Sequence, residues 1–70
     1  MKTKVRYYRQ ELGMTQKELG KKAGVARQTI NSLETGKYNP SLLLAYKITL
    51  LLGFDNIHDV FTFEDEDIKD

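Results

Sequence analysis

Positions 27, 28, 31 and 32 carry polar side chains at helical spacing. Ile30 and Leu33, the apolar residues among and just after them, fall on a different face of the same helix. Arginine can donate two hydrogen bonds to the O6 and N7 atoms of guanine, and glutamine can pair with N6 and N7 of adenine. Polar side chains can also be merely solvated. We interpret this set as a surface that reads the edges of DNA bases: Arg27, Gln28, Asn31 and Ser32.

Residues 15–40 have the layout that such a surface needs. They contain two short amphipathic segments, which are joined by Gly24 and closed by Gly36. Glycine readily adopts the left-handed conformation that ends a helix. In a helix-turn-helix, the second helix enters the major groove while the first lies across the DNA backbone. The polar residues occupy the first turns of that second helix, which favours base recognition over simple solvation.

Local signals also predict where the helices begin and end. Gly13 and Gly53 end two further apolar-periodic segments, and Thr15 and Glu18 have the spacing of a capping box. Either Asn39 or Ser41 could cap the fourth helix. The sequence therefore predicts an all-α fold of four or five helices. They lie at about 3–12, from 15, at about 27–35, from about 40 and from 55, and the segment 60–63 could form a short C-terminal strand.

Apolar residues at helical spacing predict one core. A chain of 70 residues buries only ~60% of its unfolded surface. It has no cysteine, so disulfides cannot add stability and a subunit interface is the remaining candidate. The predicted core residues are Val5, Tyr8, Leu12, Ile30, Leu33, Leu44, Ala45, Ile48, Leu51, Leu52, Ile57, Val60 and Phe61.

The longest apolar runs, at 42–46 and 50–52, are much shorter than the ~20 residues of a membrane-spanning helix. The first twelve residues lack the apolar stretch of a signal peptide. We expect a cytoplasmic protein without membrane association.

Charge is divided unevenly along the chain. Residues 1–47 carry ten Lys or Arg and three acids, a net charge of +7, whereas residues 48–70 carry one Lys and seven acids, a net charge of −6. A basic part that faces DNA and an acidic part turned away from it would explain this division. A lysine-rich solvated surface would explain it as well.

No pattern of catalytic residues is present in the sequence. His58 is the only histidine, and it has no thiol or second imidazole with which to share a metal, so we expect it at the surface. The acids at 64–67 could hold a cation loosely, repel DNA or simply be solvated. We expect neither an enzyme nor a cofactor, a metal site or a small-molecule ligand.

Residues 4–61 resemble the Cro and phage-repressor class of helix-turn-helix proteins, the XRE family, in its small stand-alone form. The resemblance depends on TQKEL, RQTIN, the Glu34–Gly36 segment and NPSL, which are distinctive together although each is weak alone. It implies a transcriptional regulator, with repression as the expected action, that binds double-stranded DNA at a near-palindromic operator as a homodimer. Two alternatives stay open: an antitoxin-like protein that mainly holds a partner protein, and a bridging scaffold that uses the fold without DNA.

The resemblance also implies roles for single residues. Arg9 would pair with Glu34 beneath the motif and orient the first helix against the third. The bases would be contacted by Arg27, Gln28, Asn31 and Ser32. The phosphates would be contacted by Thr15, Gln16, Thr35, Lys37, Tyr38 and Asn39.

Three features depart from the family pattern. Ala26 stands where Ser or Thr usually caps the third helix, so one cap bond and one phosphate contact are expected to be missing. Gly20 replaces the usual alanine, which costs ~1 kcal/mol of helix propensity but could let the second and third helices approach more closely. The acids beyond Phe63 have no counterpart, so we predict a domain of residues 1–63 and an acidic tail of residues 64–70.

The carboxyl-terminal part of the chain predicts a subunit interface. The fourth helix has more leucine than one buried stripe can use, and an uncovered apolar patch usually marks a contact surface. The segment 60–63 could pair as a strand across a two-fold axis or with residues 1–3, or its phenylalanines could fold back on their own core. We predict an interface that contains Leu50, Val60, Phe61 and Phe63.

Overall fold

A computed structural model describes residues 1–68 of the chain. Within this range it contains five helices and a two-stranded sheet, which confirms the predicted helical fold with its short strand. In chain order the elements are β1 (Lys2–Thr3), α1 (Val5–Glu11), α2 (Gln16–Ala23), α3 (Arg27–Glu34), α4 (Leu42–Leu51), a 3₁₀ turn (Ile57–Asp59), β2 (Phe61–Thr62) and α5 (Asp65–Ile68). Residues 69 and 70, the end of the predicted acidic tail, lie outside the described residues.

The first four helices end where the glycine spacing predicts, and the glycine after each has a positive φ. At the end of α3, the N–H of Gly36 donates to the carbonyl of Leu33 at 3.2 Å, and the N–H of Lys37 donates to that of Ser32 at 2.9 Å. These bonds satisfy carbonyls that a helix end otherwise leaves without a partner. Glycine is required because φ is 76° there. The turn thereby fixes the direction in which the 37–40 loop leaves α3.

The helix starts differ in how well they are capped. The Thr15 hydroxyl accepts from the N–H of Glu18, and the Glu18 carboxylate accepts from the N–H of Thr15, both at 3.0 Å. This is the predicted capping box. Ser41, rather than Asn39, caps α4, because its hydroxyl accepts from the N–H of Leu44 at 3.1 Å. Ala26 precedes α3 with no side-chain cap bond, as predicted.

Gly20 allows the turn between α2 and α3 to close back on α2. A Cβ at this position would lie 2.8 Å from the carbonyl oxygen of Val25, closer than real contacts allow. The N–H of Val25 donates in turn to the carbonyl of Gly20 at 2.9 Å. The lower helix propensity of glycine is therefore offset by a close main-chain approach that alanine would obstruct.

One core holds the helices together. Leu12 was predicted to belong to it, but this residue follows the last turn of α1 and is 54% exposed. Thr49 is fully buried. Its hydroxyl donates to the carbonyl of Ala45 at 2.8 Å, so this buried polar group has a hydrogen-bond partner. Within residues 1–68, no helix combines the length and the apolar composition needed to cross a membrane. The core consists of Val5, Leu19, Ala23, Ile30, Leu33, Ala45, Ile48, Leu52, Val60 and Phe61.

The two ends of the domain pair as antiparallel strands, with Lys2 opposite Thr62 and Thr3 opposite Phe61. The sequence allows residues 60–63 to pair across a two-fold axis or with residues 1–3, and in the structure residues 61–62 pair with residues 2–3. This pairing also corrects the predicted start of the first helix, because residues 2–3 are extended and α1 begins only at Val5.

The fifth helix predicted from Asp55 is instead a single 3₁₀ turn. The side chain of Asn56 caps it by accepting from the N–H of His58 at 2.9 Å. The chain must be extended again by Phe61 to pair with β1, which leaves too few residues for a longer helix.

The acidic segment lies beside the amino-terminal strand. The predicted domain boundary at residue 63 falls between β2 and the one-turn helix α5. Lys2 Nζ lies 3.5 Å from a carboxylate oxygen of Glu64, a contact between two largely solvated side chains. An exposed pair of this kind contributes little to stability.

Ala26→Ser tests the missing cap. The new hydroxyl can accept an orphan N–H of the first turn of α3, so we expect the free energy of unfolding to rise by ~1 kcal/mol and Tm to rise by ~4–8 °C. Ser41→Ala is the matched control, because it removes the cap that α4 already has and should lower Tm by a similar amount. If Ser41→Ala lowers Tm while Ala26→Ser leaves it unchanged, a hydroxyl at position 26 does not cap α3.

Candidate nucleic-acid interface

Helix α3 presents a polar side to solvent and an apolar side to the core. Ile30 and Leu33 are fully buried, whereas the residues predicted to contact bases lie on the outer side. We call this outer side the recognition face. It consists of Arg27, Gln28 and Asn31, which are exposed, and Ser32, which is half-buried.

Two surface hollows flank the recognition face and contain most of the predicted phosphate contacts. One hollow is lined by residues from the start of α2, including Thr15, Gln16 and Lys17, together with Arg27. The other brings Lys37 and Tyr38 beside Gln28 and Ser32. The fold therefore places base-reading and backbone-contacting candidates next to each other.

A hydrogen-bond network centred on Glu34 holds α3 against α1 and α2. The guanidinium of Arg9 donates to the Glu34 carboxylate twice, from Nε to Oε2 at 2.7 Å and from Nη2 to Oε1 at 3.2 Å. Arg6 Nε also donates to Oε1 at 3.4 Å, and Gln16 Nε2 donates to the same oxygen at 3.0 Å. We call these four residues the Glu34 network. It contains the predicted pair of Arg9 and Glu34, and it joins α1, α2 and α3.

Arg9 also joins the network to the turn before α2. Its Nη1 donates to the carbonyl of Met14 at 2.8 Å, and the residue is buried. One guanidinium thus contacts both the carboxylate on α3 and the chain that leads into α2. Its planar fork suits this task, which lysine could not perform in the same way.

Opposing effects act on the protonation of Glu34, whose side chain is fully buried. Burial disfavours its charged form, but the hydrogen bonds from Arg9, Gln16 and Arg6 and the charge of Arg9 outweigh that effect. The pKa of Glu34 therefore lies below its ordinary value. The carboxylate is ionised at neutral pH and accepts hydrogen bonds only.

Both N–H donors of the Gln16 side chain are used in hydrogen bonds within the protein. Besides its bond to Glu34, Gln16 Nε2 donates to Asn31 Oδ1 at 3.2 Å. A side-chain amide has two N–H donors, so none is left for a phosphate, which only accepts. A phosphate contact by this side chain would have to replace one of these bonds. The backbone N–H of Gln16 lies in the first turn of α2, where N–H groups lack helical partners.

The other predicted phosphate contacts differ in what they can still donate. The hydroxyl of Thr35 donates to the carbonyl of Ser32 at 3.1 Å, so a phosphate would have to replace that bond. The hydroxyl of Thr15 already takes part in the capping box, where it accepts from the N–H of Glu18 and bonds to the Glu18 carboxylate. Lys37, Tyr38 and Asn39 are exposed beyond the end of α3, and they remain the best-placed side-chain donors.

Charge at the start of α2 is partly balanced within the capping box. The hydrogen bonds from the backbone and side chain of Thr15 hold the pKa of Glu18 below its ordinary value. This carboxylate interacts favourably with the positive end of the helix, and Lys17, directly before Glu18, is exposed.

Sequence reasoning missed the part that Arg6 and Gln16 play in the Glu34 network. Arg6 lies three residues before Arg9, so both fall on one side of α1. That spacing was a usable signal for a second cation. The internal role of Gln16 had no such signal, because it depends on how α2 crosses α3.

The four residues of the predicted subunit interface are divided by the fold. Val60 and Phe61 lie in the core of the chain itself and offer no surface to a partner in this arrangement. Phe63 is 44% exposed and Leu50 is 48% exposed. The interface prediction therefore depends on Leu50 and Phe63, and the alternative in which the phenylalanines fold back holds for Phe61 alone.

Comparison with known proteins points to the same region of the chain. A family model described as helix-turn-helix matches residues 5–55, which include α1 to α4. A protein of Archaeoglobus fulgidus, named an uncharacterized HTH-type transcriptional regulator, is 54% identical over 97% of this chain and 96% of its own length. A protein of the same name from Methanothermobacter thermautotrophicus is 48% identical over 99% of this chain and 100% of its own. YgzD of Bacillus subtilis, another with that description, is 46% identical over 94% and 98%.

A double-mutant cycle tests the pairing of Arg9 with Glu34. Glu34→Ala should lower the free energy of unfolding by ~3–5 kcal/mol, because it leaves a buried arginine without its counter-ion. Arg9→Leu combined with Glu34→Ala should show a coupling energy of at least ~1 kcal/mol in urea unfolding. The exposed pair of Lys2 and Glu64 is the matched control and should show ~0–1 kcal/mol. Equal coupling in the two cycles would contradict a structural role for the buried pair.

Acid titration tests the charge of Glu34 separately. Its pKa is lower in the folded chain, so its contribution to stability is complete above the ordinary value of 4.5 and is lost as pH falls further. Glu34→Gln should therefore unfold with a weaker pH dependence than wild type between neutral pH and about pH 3. Glu11→Gln is the control, because it removes an exposed carboxylate of α1 that takes no part in the Glu34 network. Superimposable curves for Glu34→Gln and wild type would show that folding does not lower the pKa of Glu34.

Proposed function

We propose, since this chain belongs to the helix-turn-helix family of DNA-binding transcriptional regulators, that it represses transcription by binding a near-palindromic operator as a homodimer. The observation that carries the proposal is the recognition face, where the base-reading candidates are exposed on a helix whose other side is locked in the core. Repression needs only that the bound protein occupy promoter DNA. The recognition face offers hydrogen-bond donors, and DNA bases and phosphates offer acceptors for them.

Arg27 and Gln28 are the proposed direct readers of sequence. They are the first two residues of α3, the end of a recognition helix that approaches the base edges. Arginine suits guanine and glutamine suits adenine, and each bidentate pair contributes ~1–3 kcal/mol of discrimination. Ser32 lies behind them, where a hydroxyl can donate or accept.

The proposed backbone contacts flank these readers. Lys37 and Tyr38 share a hollow with Gln28 and Ser32, so they would reach the phosphates next to the bases being read. On the other side, the first turn of α2 offers backbone N–H groups beside Arg27. Contacts on both sides would hold the register of α3 in the groove without reading sequence.

A second copy of the chain is the proposed partner of the apolar surface on α4. Leu42 and Leu43 are 78% and 77% exposed, and Tyr46 and Leu50 continue the same side of the helix. Leu42 and Ile57 border two neighbouring hollows, and the first of these extends to Phe63. The exposed apolar residues thus form a connected surface of the kind that marks a protein contact.

A two-fold dimer would give this arrangement a consequence for DNA. Two recognition faces related by such an axis bind half-sites about one helical turn apart, ~34 Å. The surface on α4 follows the 37–41 loop directly, so a dimer contact there would lie beside the proposed phosphate contacts. The symmetry of the protein would then be matched by a near-palindromic operator.

In vitro selection from random DNA tests the readers. Arg27→Ala and Gln28→Ala should each relax the preference at one base position per half-site by ~1–3 kcal/mol, because a bidentate contact is lost. The remaining positions should keep their preferences. If Arg27→Ala selects the wild-type motif unchanged, the assignment of Arg27 as a reader fails.

Salt titration of DNA binding tests the backbone contacts. Lys37→Ala should weaken all sequences alike and reduce the slope of log K against log salt by about 1, because one fewer counterion is released. Lys22→Ala is the control, since this lysine lies in the last turn of α2, away from the proposed phosphate contacts. A slope that falls equally for both variants would mean that Lys37 has no particular place on the backbone.

Sedimentation tests the second copy. Leu43→Asp and Phe63→Asp each place a charge on the apolar surface and should convert a wild-type dimer to monomer at micromolar concentration. Tyr7→Asp is the matched control, because Tyr7 is an exposed aromatic residue on α1. A dimer that survives both substitutions would place the interface elsewhere. A monomeric wild type would refute the two-fold operator.

A further inference from the structure

We propose that Gln16 determines which hydrogen-bonding groups Asn31 offers to DNA, so that Asn31 reads guanine rather than adenine. The inference rests on the proposed function and deepens it, because it assigns a base to one residue of the recognition face. Gln16 acts as a positioning residue, and Asn31 is the residue that touches the base. The argument begins at Glu34 and proceeds outward to the DNA side.

The Glu34 carboxylate fixes the orientation of the Gln16 amide. Ionised and paired with Arg9, the carboxylate has no hydrogen to donate. Gln16 lies with its Nε2 3.0 Å from Glu34 Oε1. The reversed amide would bring its own carbonyl oxygen against a carboxylate oxygen, an approach of two acceptors. The donor end of Gln16 must therefore face Glu34.

The Gln16 amide fixes the orientation of Asn31 in the same way. Its Nε2 also lies 3.2 Å from Asn31 Oδ1, and this nitrogen donates without accepting. If Asn31 were reversed, two N–H groups would oppose each other. One hydrogen of Gln16 is thus used for Glu34 and the other for the carbonyl oxygen of Asn31.

The end of the Asn31 amide that is left free is consequently its donor. Its Oδ1 is directed at Gln16, which takes up one of its two lone pairs, and its Nδ2 has no hydrogen-bond partner within residues 1–68. The major-groove edge of guanine offers two acceptors, N7 and O6. Adenine offers one acceptor and one donor, thymine offers one acceptor beside a methyl group, and cytosine offers only a donor. An asparagine needs both its donor and its acceptor to pair with adenine. Held by Gln16, Asn31 matches guanine.

Base selection with four proteins tests the proposal. Asn31→Ala identifies the base position that depends on Asn31, where wild type should select guanine. Gln16→Ala frees the Asn31 amide to offer its acceptor, so adenine should enter at that position and the preference for guanine should fall on the order of tenfold. The positions that depend on Arg27 and Gln28 should keep their bases. Gln10→Ala, an exposed glutamine on α1, is the matched control and should leave the motif as it is.

The outcomes separate this proposal from the proposed function. If wild type selects a motif but Gln16→Ala retains the guanine preference that Asn31→Ala removes, the positioning role is refuted and the regulator stands. The same holds if the Asn31-dependent base is adenine, thymine or cytosine in wild type. If wild type enriches no sequence, the proposed function itself fails.

Hydrogen exchange of the side-chain amides tests the orientation without DNA. In the free wild-type protein, the Nδ2 protons of Asn31 should exchange with water at the rate of an unbonded amide, and the Nε2 protons of Gln16 should exchange measurably more slowly. Gln10 gives the reference rate for an exposed glutamine. Slow exchange at Asn31 together with fast exchange at Gln16 would overturn the proposed polarity.

Discussion

The buried carboxylate of Glu34 is the constraint on which the orientation of the DNA-facing elements depends. A charge removed from water must be paired and hydrogen-bonded, or its burial becomes costly. Here its partners come from two other helices, because Arg6 and Arg9 lie on α1 and Gln16 lies on α2. The geometry that satisfies one carboxylate therefore sets how α1 and α2 lie against α3. A helix position determined in this way is less free to shift than one held by apolar contacts alone.

The same requirement extends to the exposed side of α3. Side chains that carry internal hydrogen bonds are ordered before DNA arrives, which lowers the entropy lost on binding. Gln16 is held by two such bonds, and Asn31 is held through it. Arg27 and Gln28 lie four and three residues before Asn31 on the helix, outside the Glu34 network. The recognition face thus combines one residue of fixed polarity with readers that can adapt their rotamers to the bases.

The features that could be predicted from sequence are those that depend on neighbours in the chain. The capping box at Thr15, the uncapped Ala26 and the glycines that end the helices involve residues only a few positions apart. The structure differs where distant segments compete with local preference. The first helix begins at Val5 rather than at about residue 3 because residues 2–3 pair with residues 61–62, and the same pairing limits the segment after Asp55 to a 3₁₀ turn. The hydrogen bonds of Gln16 could not be read from spacing, since they arise where two helices cross.

The exposed apolar surface of α4 has a different cause: a small chain has too few residues to cover it. α4 is apolar on nearly all sides, as its sequence LLLAYKITLL shows. Its inner residues Ala45 and Ile48 fill the core, yet Leu42 and Leu43 stay in water, although a soluble helix ordinarily faces solvent with polar residues. The polar network lies on α1 to α3 and the uncovered leucines lie on α4, so substitutions can alter one surface and leave the other intact. Because the two surfaces are separate, the affinity of one domain for its half-site and the pairing of two domains are distinct properties. The overall affinity for a two-fold operator would depend on both, since pairing makes the second half-site contact intramolecular.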